Sequence, residues 1–293
     1  MHVPSAFHHR GGAALLAELA EPAPVEPGPL VLDGRRPAYL VVRGEAELVA
    51  VRRQACPQVN ADGHVLARFG SGAVVPSSTA LGAWQLVLVP DPGARVGALD
   101  PSALRRVGFG GLAEPTEPAD VLVPPPRAVS SVAAALSRGL DGVLLAVADA
   151  LRPGPPPDSA PDVGRVGLVS LATASVLAGD GRVNWLRVAG GHVRRNGDPA
   201  AVFGGRDPVL LAGRDWIVAD GPCTVEALHT EDLLRAGDLP DALDRHAVVT
   251  LRTVDTRLSG LRPRTAAARW PLPSCARCSG GSDDSCEGVS RSR

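Results

Sequence analysis

The sequence contains no lysine; every one of its 30 Lys-plus-Arg positions is arginine. That excludes a Schiff-base lysine, the lysine of a phosphate-binding P-loop and a Ser-x-x-Lys nucleophile pair. Aromatic residues make up only 3% of the chain, with a single Tyr and a single Met, so Leu, Val and Ala must fill any core. Charge of one sign is also lacking: the formal net charge is -1, with no long run of either sign, which argues against a nucleic-acid partner. Apolar runs such as "GLVSLATASVLAG" fall short of the ~20 residues that span a bilayer. The opening "MHVPSAFHHRGG" has no basic segment followed by an apolar run, unlike a signal peptide. The five cysteines are unevenly placed: Cys56 and Cys223 stand apart, and Cys275, Cys278 and Cys286 crowd the end. They spell no disulfide framework, which suits a reducing cytoplasm.

Hydrophobic residues are plentiful at 45%, and 293 residues suggest about two domains. Residues 1–28 read as a flexible arm with one short helix, "AALLAELA". From Leu30 onward, short Val- and Leu-rich runs alternate with turn residues: "LVLDG", "AYLVVRG", "AELVAVRR", "HVLARFG", "AVVP" and "WQLVLVP". Such spacing predicts an antiparallel sandwich or barrel over 29–111. Residues 112–160 read as a connector. Within it Val129, Val132, Leu136, Leu140, Val143, Val147 and Leu151 step by three or four along a helix, and "RPGPPPDSAPD" follows as a stiff linker. Gly139 and Gly142 should weaken that helix.

Residues 161–262 repeat the pattern with "VGLVSLATASVL", "NWLRVAGGHVRR", "PVLLAG", "DWIVAD" and "TVEALHT" as strands. Two helices are expected after them. One starts with Thr230 as N-cap and stops at Gly237; the other runs from Pro240 to Gly260 with Leu243, Ala247, Leu251, Val254 and Leu258 on one face. Residues 263–293 hold too few apolar side chains to fold and read as a disordered tail.

One phrase occurs twice. Tyr39, Leu40, Val42 and Gly44 match Trp185, Leu186, Val188 and Gly190, in each case a strand running into a glycine turn. Duplication accounts for this better than chance recurrence of a common strand-turn pattern.

"LVLDGRRPAYLVVRGEAELVAV" resembles the start of a cyclic-nucleotide-binding-like jelly roll. Together with "DWIVADGPCTVEALHTEDLLRAGDLPDALDRHAVVTL", it is similar to the N-terminal region of ABC exporters of the NHLM (nitrile-hydratase-leader microcin) bacteriocin systems, over roughly residues 29–262. The resemblance implies a mainly β fold with helices (α+β): two jelly-roll, cyclic-nucleotide-binding-like lobes joined by a helix and a Pro-rich linker. It also implies a non-catalytic accessory or regulatory region, cytoplasmic and held at the inner face of the membrane through its partners. Those partners would be the membrane and ATPase parts of a peptide exporter and the leader peptide of its substrate. The chain departs from such exporters after Trp270, where no membrane or ATPase segment follows, so a truncated or frame-shifted exporter is expected. The alternative is a stand-alone small-molecule-binding jelly-roll protein.

Residues that could carry chemistry are few. Phe69, Gly70, Ser71 and Gly72 stand where the resemblance implies a phosphate-binding cassette, but Ser71 replaces the expected Glu. No Arg lies between Arg68 and Arg95, so the cassette is degenerate and a plain turn is the better reading. Cys275, Cys278 and Cys286 supply too few ligands for a closed zinc site. Gln54-Ala55-Cys56-Pro57 lacks the His-containing motif that a leader-cleaving cysteine peptidase would need. His8-His9 lies in the arm, and His64, His192, His229 and His246 each stand alone. No catalytic residue, metal or cofactor is therefore expected.

Overall fold

The computed structural model describes residues 20–22, 28–53, 63–80, 82–99, 126–151, 167–205 and 208–258. Strands β1 (Ala20–Pro22), β2 (Leu30–Val31), β3 (Ala38–Arg43), β4 (Ala46–Arg52), β5 (Gly63–Phe69), β6 (Val74–Pro76), β7 (Trp84–Pro90) and β8 (Arg95–Leu99) precede helix α1 (Pro126–Ala150). Then follow β9 (Gly167–Leu171), β10 (Val176–Ala178), β11 (Val183–Gly190), β12 (His192–Arg195), β13 (Val202–Gly204), β14 (Pro208–Ala212), β15 (Trp216–Ala219) and β16 (Cys223–Leu228). Two helices complete the described chain, α2 (Thr230–Ala236) and α3 (Leu239–Leu258).

The strands before α1 form two sheets, ordered β1-β8-β3-β6 and β2-β7-β4-β5. Those after it are ordered β9-β16-β11-β14 and β10-β15-β12-β13, the same permutation with eight added to each number. Every pairing is antiparallel, and this interleaved order is that of a jelly roll. Alternation sets which side chains face inward. In β4, Ala46, Leu48 and Ala50 are buried; in β16, Cys223, Val225 and Ala227 are.

Three cores result. One lies between the first pair of sheets, with Tyr39, Val41, Leu48, Phe69, Trp84 and Leu88. Another lies between the second pair, with Leu186, Val188, Val193, Leu211 and Ile217. The third joins the outer faces of β3, β6 and β8 to those of β11 and β14, with α1 between them and α2 and α3 alongside. Helix α1 therefore buries two sides: Leu136, Leu140 and Leu144 enter the shared core, while Val143, Val147 and Leu151 enter the first. From Val132 to Leu151 the expected stripe is buried, and Ala133 and Leu144 widen it; the side chain of Val129 lies outside the described residues.

The repeated phrase falls on equivalent strands, β3 and β11, but with a slip of one residue. Each strand has a register irregularity against its neighbour, between Val41 and Arg43 in β3 and between Val188 and Gly190 in β11. Aligning these matches Val41 with Val188, and Gly44 (φ 82°) with Gly191 (φ 82°) rather than Gly190. A one-residue slip in a strand exchanges its faces. Tyr39 thus points into the first core and Trp185 into the shared one, so the two aromatics are not equivalent.

The start of α2 also differs from expectation. His229 is the N-cap, its backbone N–H bonded to Asp232 Oδ2 at 3.0 Å. Thr230 lies one position inside the helix and uses its hydroxyl elsewhere. Gly237 ends the helix in the left-handed conformation as expected, φ 78°. Gly260, most of the arm, the Pro-rich linker and the tail lie outside the described residues.

Candidate functional site

The glycine turn singled out in the sequence does not form a cradle. Phe69 is buried in the first core, and Gly70 to Ala73 close the β5–β6 turn through Ala73 N–H to Gly70 O at 3.2 Å. Ser71 is exposed, its hydroxyl 3.4 Å from Gly44 O. Helix α1 passes close beneath: a Cβ built on Gly139 would lie 2.3 Å from Gly72 O. Gly139 thus lets the helix approach the turn. Arg68 beside it is occupied by carboxylates, with Asp91 and, at 2.6 Å, Glu45.

Concave space lies elsewhere, around the β6–β7 loop. The larger cavity encloses about 270 Å³. Its floor is apolar: Ala38, Val74 and Leu99 from the sheet, Leu136 and Leu140 from α1, and Leu243 from α3. Two of its four polar side chains, Ser77 and Arg35, are tied, and Thr79 and Asp244 are not. Ser77 Oγ accepts Gly34 N–H at 2.8 Å, and Arg35 Nε pairs with Asp33 at 2.9 Å. Pro76, Ser77 and Leu243 separate it from a second cavity of about 60 Å³, walled by Leu48, Trp84, Val143, Leu251, His246 and Thr250 among others.

The isolated histidines have structural partners. His64 meets the Trp84 ring edge-on, with centroids 5.6 Å apart, and His246 meets Trp185 at 6.3 Å. His246 Nε2 also lies 3.2 Å from Thr250 Oγ1, one turn along α3. Burial, and secondarily the nearby Arg195 charge, hold its pKa well below the usual histidine value. His192 is exposed in β12. Cys223 is a buried free thiol whose pKa burial raises. Among the described residues, no group of three or more His, Cys, Asp or Glu is placed to hold a metal. Cys56, Cys275, Cys278, Cys286, His8 and His9 lie outside the described residues.

Two polar clusters had no sequence signal. Trp185 Nε1–H donates to Thr230 Oγ1 at 3.0 Å, and the Thr230 hydroxyl donates to Asp141 on α1. Burial pushes Asp141 up to about 6, while the Thr230 bond and the His229 charge pull it back. In the second cluster, Asp215 is almost fully buried. It accepts from Arg195 Nη2, from Asn196 Nδ2 at 3.0 Å and from Ala212 N–H at 3.2 Å. This cluster ties the β12–β13 turn to the β14–β15 turn. Both join residues far apart in sequence, which no local pattern reveals.

No family model matches this sequence, and no curated protein does. Solved structures with some similarity include a CooA mutant from Carboxydothermus hydrogenoformans, at 15% identity over 35% of this chain and 80% of that one, TM-score 0.27. Another is cAMP-bound PfPKA-R, at 12% identity over 81% of this chain and 78% of that one, TM-score 0.25. A third is the regulatory subunit of a cAMP-independent protein kinase A from Trypanosoma brucei, at 13% identity, 82% and 83% coverage, and TM-score 0.24. At these scores the likeness adds nothing to the strand order described above.

Proposed function

We propose that the chain is a non-catalytic binding module: two duplicated, cyclic-nucleotide-binding-like lobes clasping α1, which work through occupancy of the larger cavity. The observation that carries this reading is the cavity's composition. About 270 Å³ is roughly nine waters' share of liquid volume, enough for a small ligand, and its floor is apolar. Its serine and arginine already have partners, so apolar contact is the main thing it offers.

A cyclic nucleotide fits poorly, because burying its phosphate costs several kcal/mol unless a cation pairs with it. Calorimetric titration with cyclic AMP and cyclic GMP should therefore give affinities no tighter than the millimolar range. Titration with n-hexanol, read by NMR on the methyl groups of Leu136, Leu140 and Leu243, should give saturable shifts. Micromolar cyclic-nucleotide binding, or no hexanol response, would overturn the reading.

The finer assignment, an accessory region of a bacteriocin exporter acting on the exporter core or leader peptide, rests on the sequence resemblance over 29–262. No helix among the described residues is long and apolar enough to cross a membrane, so attachment at the inner face would come through those partners. Co-purification with the membrane and ATPase parts, tested with and without leader peptide, decides it.

A further inference from the structure

Taking the cavity reading as its premise, the charge at the mouth says which ligands suit it. Asp244 stands there on α3, exposed, with no hydrogen bond or ion pair among the described residues. Arg35 also lines the cavity, paired with Asp33. The start of α3 also borders the mouth through Pro240. A helix N-terminus carries about half a positive charge. Asp241, in the first turn of α3, more than offsets that. Of the two charged side chains that line the cavity, Asp244 is thus the one without a partner among the described residues, and the floor is apolar.

We propose that the cavity takes a small amphiphilic amine, its alkyl or aryl body against Val74, Leu99, Leu136 and Leu140 and its ammonium at Asp244. The body contributes most of the affinity, through removal of apolar surface from water. The ammonium selects against neutral and anionic compounds of the same length. An exposed ion pair yields only about a twofold to fivefold preference, which salt erodes as the Debye length falls from about 30 Å to about 3 Å between 0.01 M and 1 M.

The experiment titrates the full chain with n-hexylamine, n-hexanol and n-hexanoate at low and high salt, following the methyl groups that line the cavity. All three should bind, the amine tightest and the carboxylate weakest, with the spread collapsing at high salt. Asp244→Asn removes an exposed carboxylate without a partner, so the fold should persist while amine affinity falls to that of the alcohol. Thr79→Trp, at the exposed rim, should weaken all three. If hexanol binds but hexylamine shows no preference, or keeps its preference in Asp244→Asn, the amine proposal fails and the cavity reading stands. If none of the three binds, the cavity reading itself fails. Tighter binding of Leu-Leu amide than of hexylamine would assign the site to a peptide end and overturn a free amine.

Discussion

Gly139 and Gly142 are both in α1, less than one turn apart, and composition alone treats them as equal weak points. Their surroundings separate them. A Cβ on Gly142 meets nothing within 4 Å, whereas one on Gly139 would meet the Gly72 carbonyl at 2.3 Å and Val74 at 2.9 Å. Gly142→Ala should therefore stabilise the protein by about 1 kcal/mol, the ordinary helix gain. Gly139→Ala should destabilise it by about 1–3 kcal/mol, because backbone must move to accept the methyl group. Urea denaturation of the two variants checks both signs. The same scale governs Asp215. Its removal strands the buried Arg195 guanidinium, whose Nε already has no partner. Asp215→Ala should cost about 3–5 kcal/mol in the same assay.

At the scale of elements, the hydrogen-bonded line from Trp185 through Thr230 to Asp141 fixes α2 against α1 and β11. Asp141 is raised from 3.8 to about 6, so the folded state binds its proton more tightly than the unfolded chain does. That contribution is full below the unfolded value of 3.8 and is lost as pH rises through about 6. Asp141→Asn keeps an acceptor for Thr230 without the buried charge. It should raise the melting temperature relative to the parent at about pH 7, and the difference should vanish below about pH 4. A gain independent of pH would show that Asp141 is not the group concerned.

Elements were also the most legible level of the sequence. The runs at Ala38, Ala46 and Trp84 were recognisable strands because Val and Leu alternate between turn residues. The α1 stripe was recognisable because its period is helical. What escaped had a physical cause. "RVGAL" at β8 is short and centred on glycine, and "VGLVSLATASVL" hides a turn between β9 and β10 in which Ala174 takes φ 62°. The one-residue slip between Tyr39 and Trp185 was invisible because both neighbours in each phrase are apolar. The cavity around Leu99, Leu140 and Leu243 brings together three distant segments that look alike as apolar text.

For the whole molecule, the question is whether the two sets of strands are independent. Each has its own core, yet the third core gathers Leu40 and Val74 from the first set and Trp185 and Leu210 from the second into one cluster with α1. Leu140, 1% exposed, lies in that shared layer. Deleting most of a buried Leu side chain costs about 2–5 kcal/mol. If the shared layer is what makes the molecule cooperative, Leu140→Ala should subtract the same free energy from strands on both sides of it. Native-state hydrogen exchange measures this directly, comparing amides of β4 and β7 with amides of β12 and β15. Equal losses of protection would show one folding unit held together through α1. A loss confined to β4 and β7 would show two units that merely touch, and ligand occupancy near α1 could then act on the first set alone.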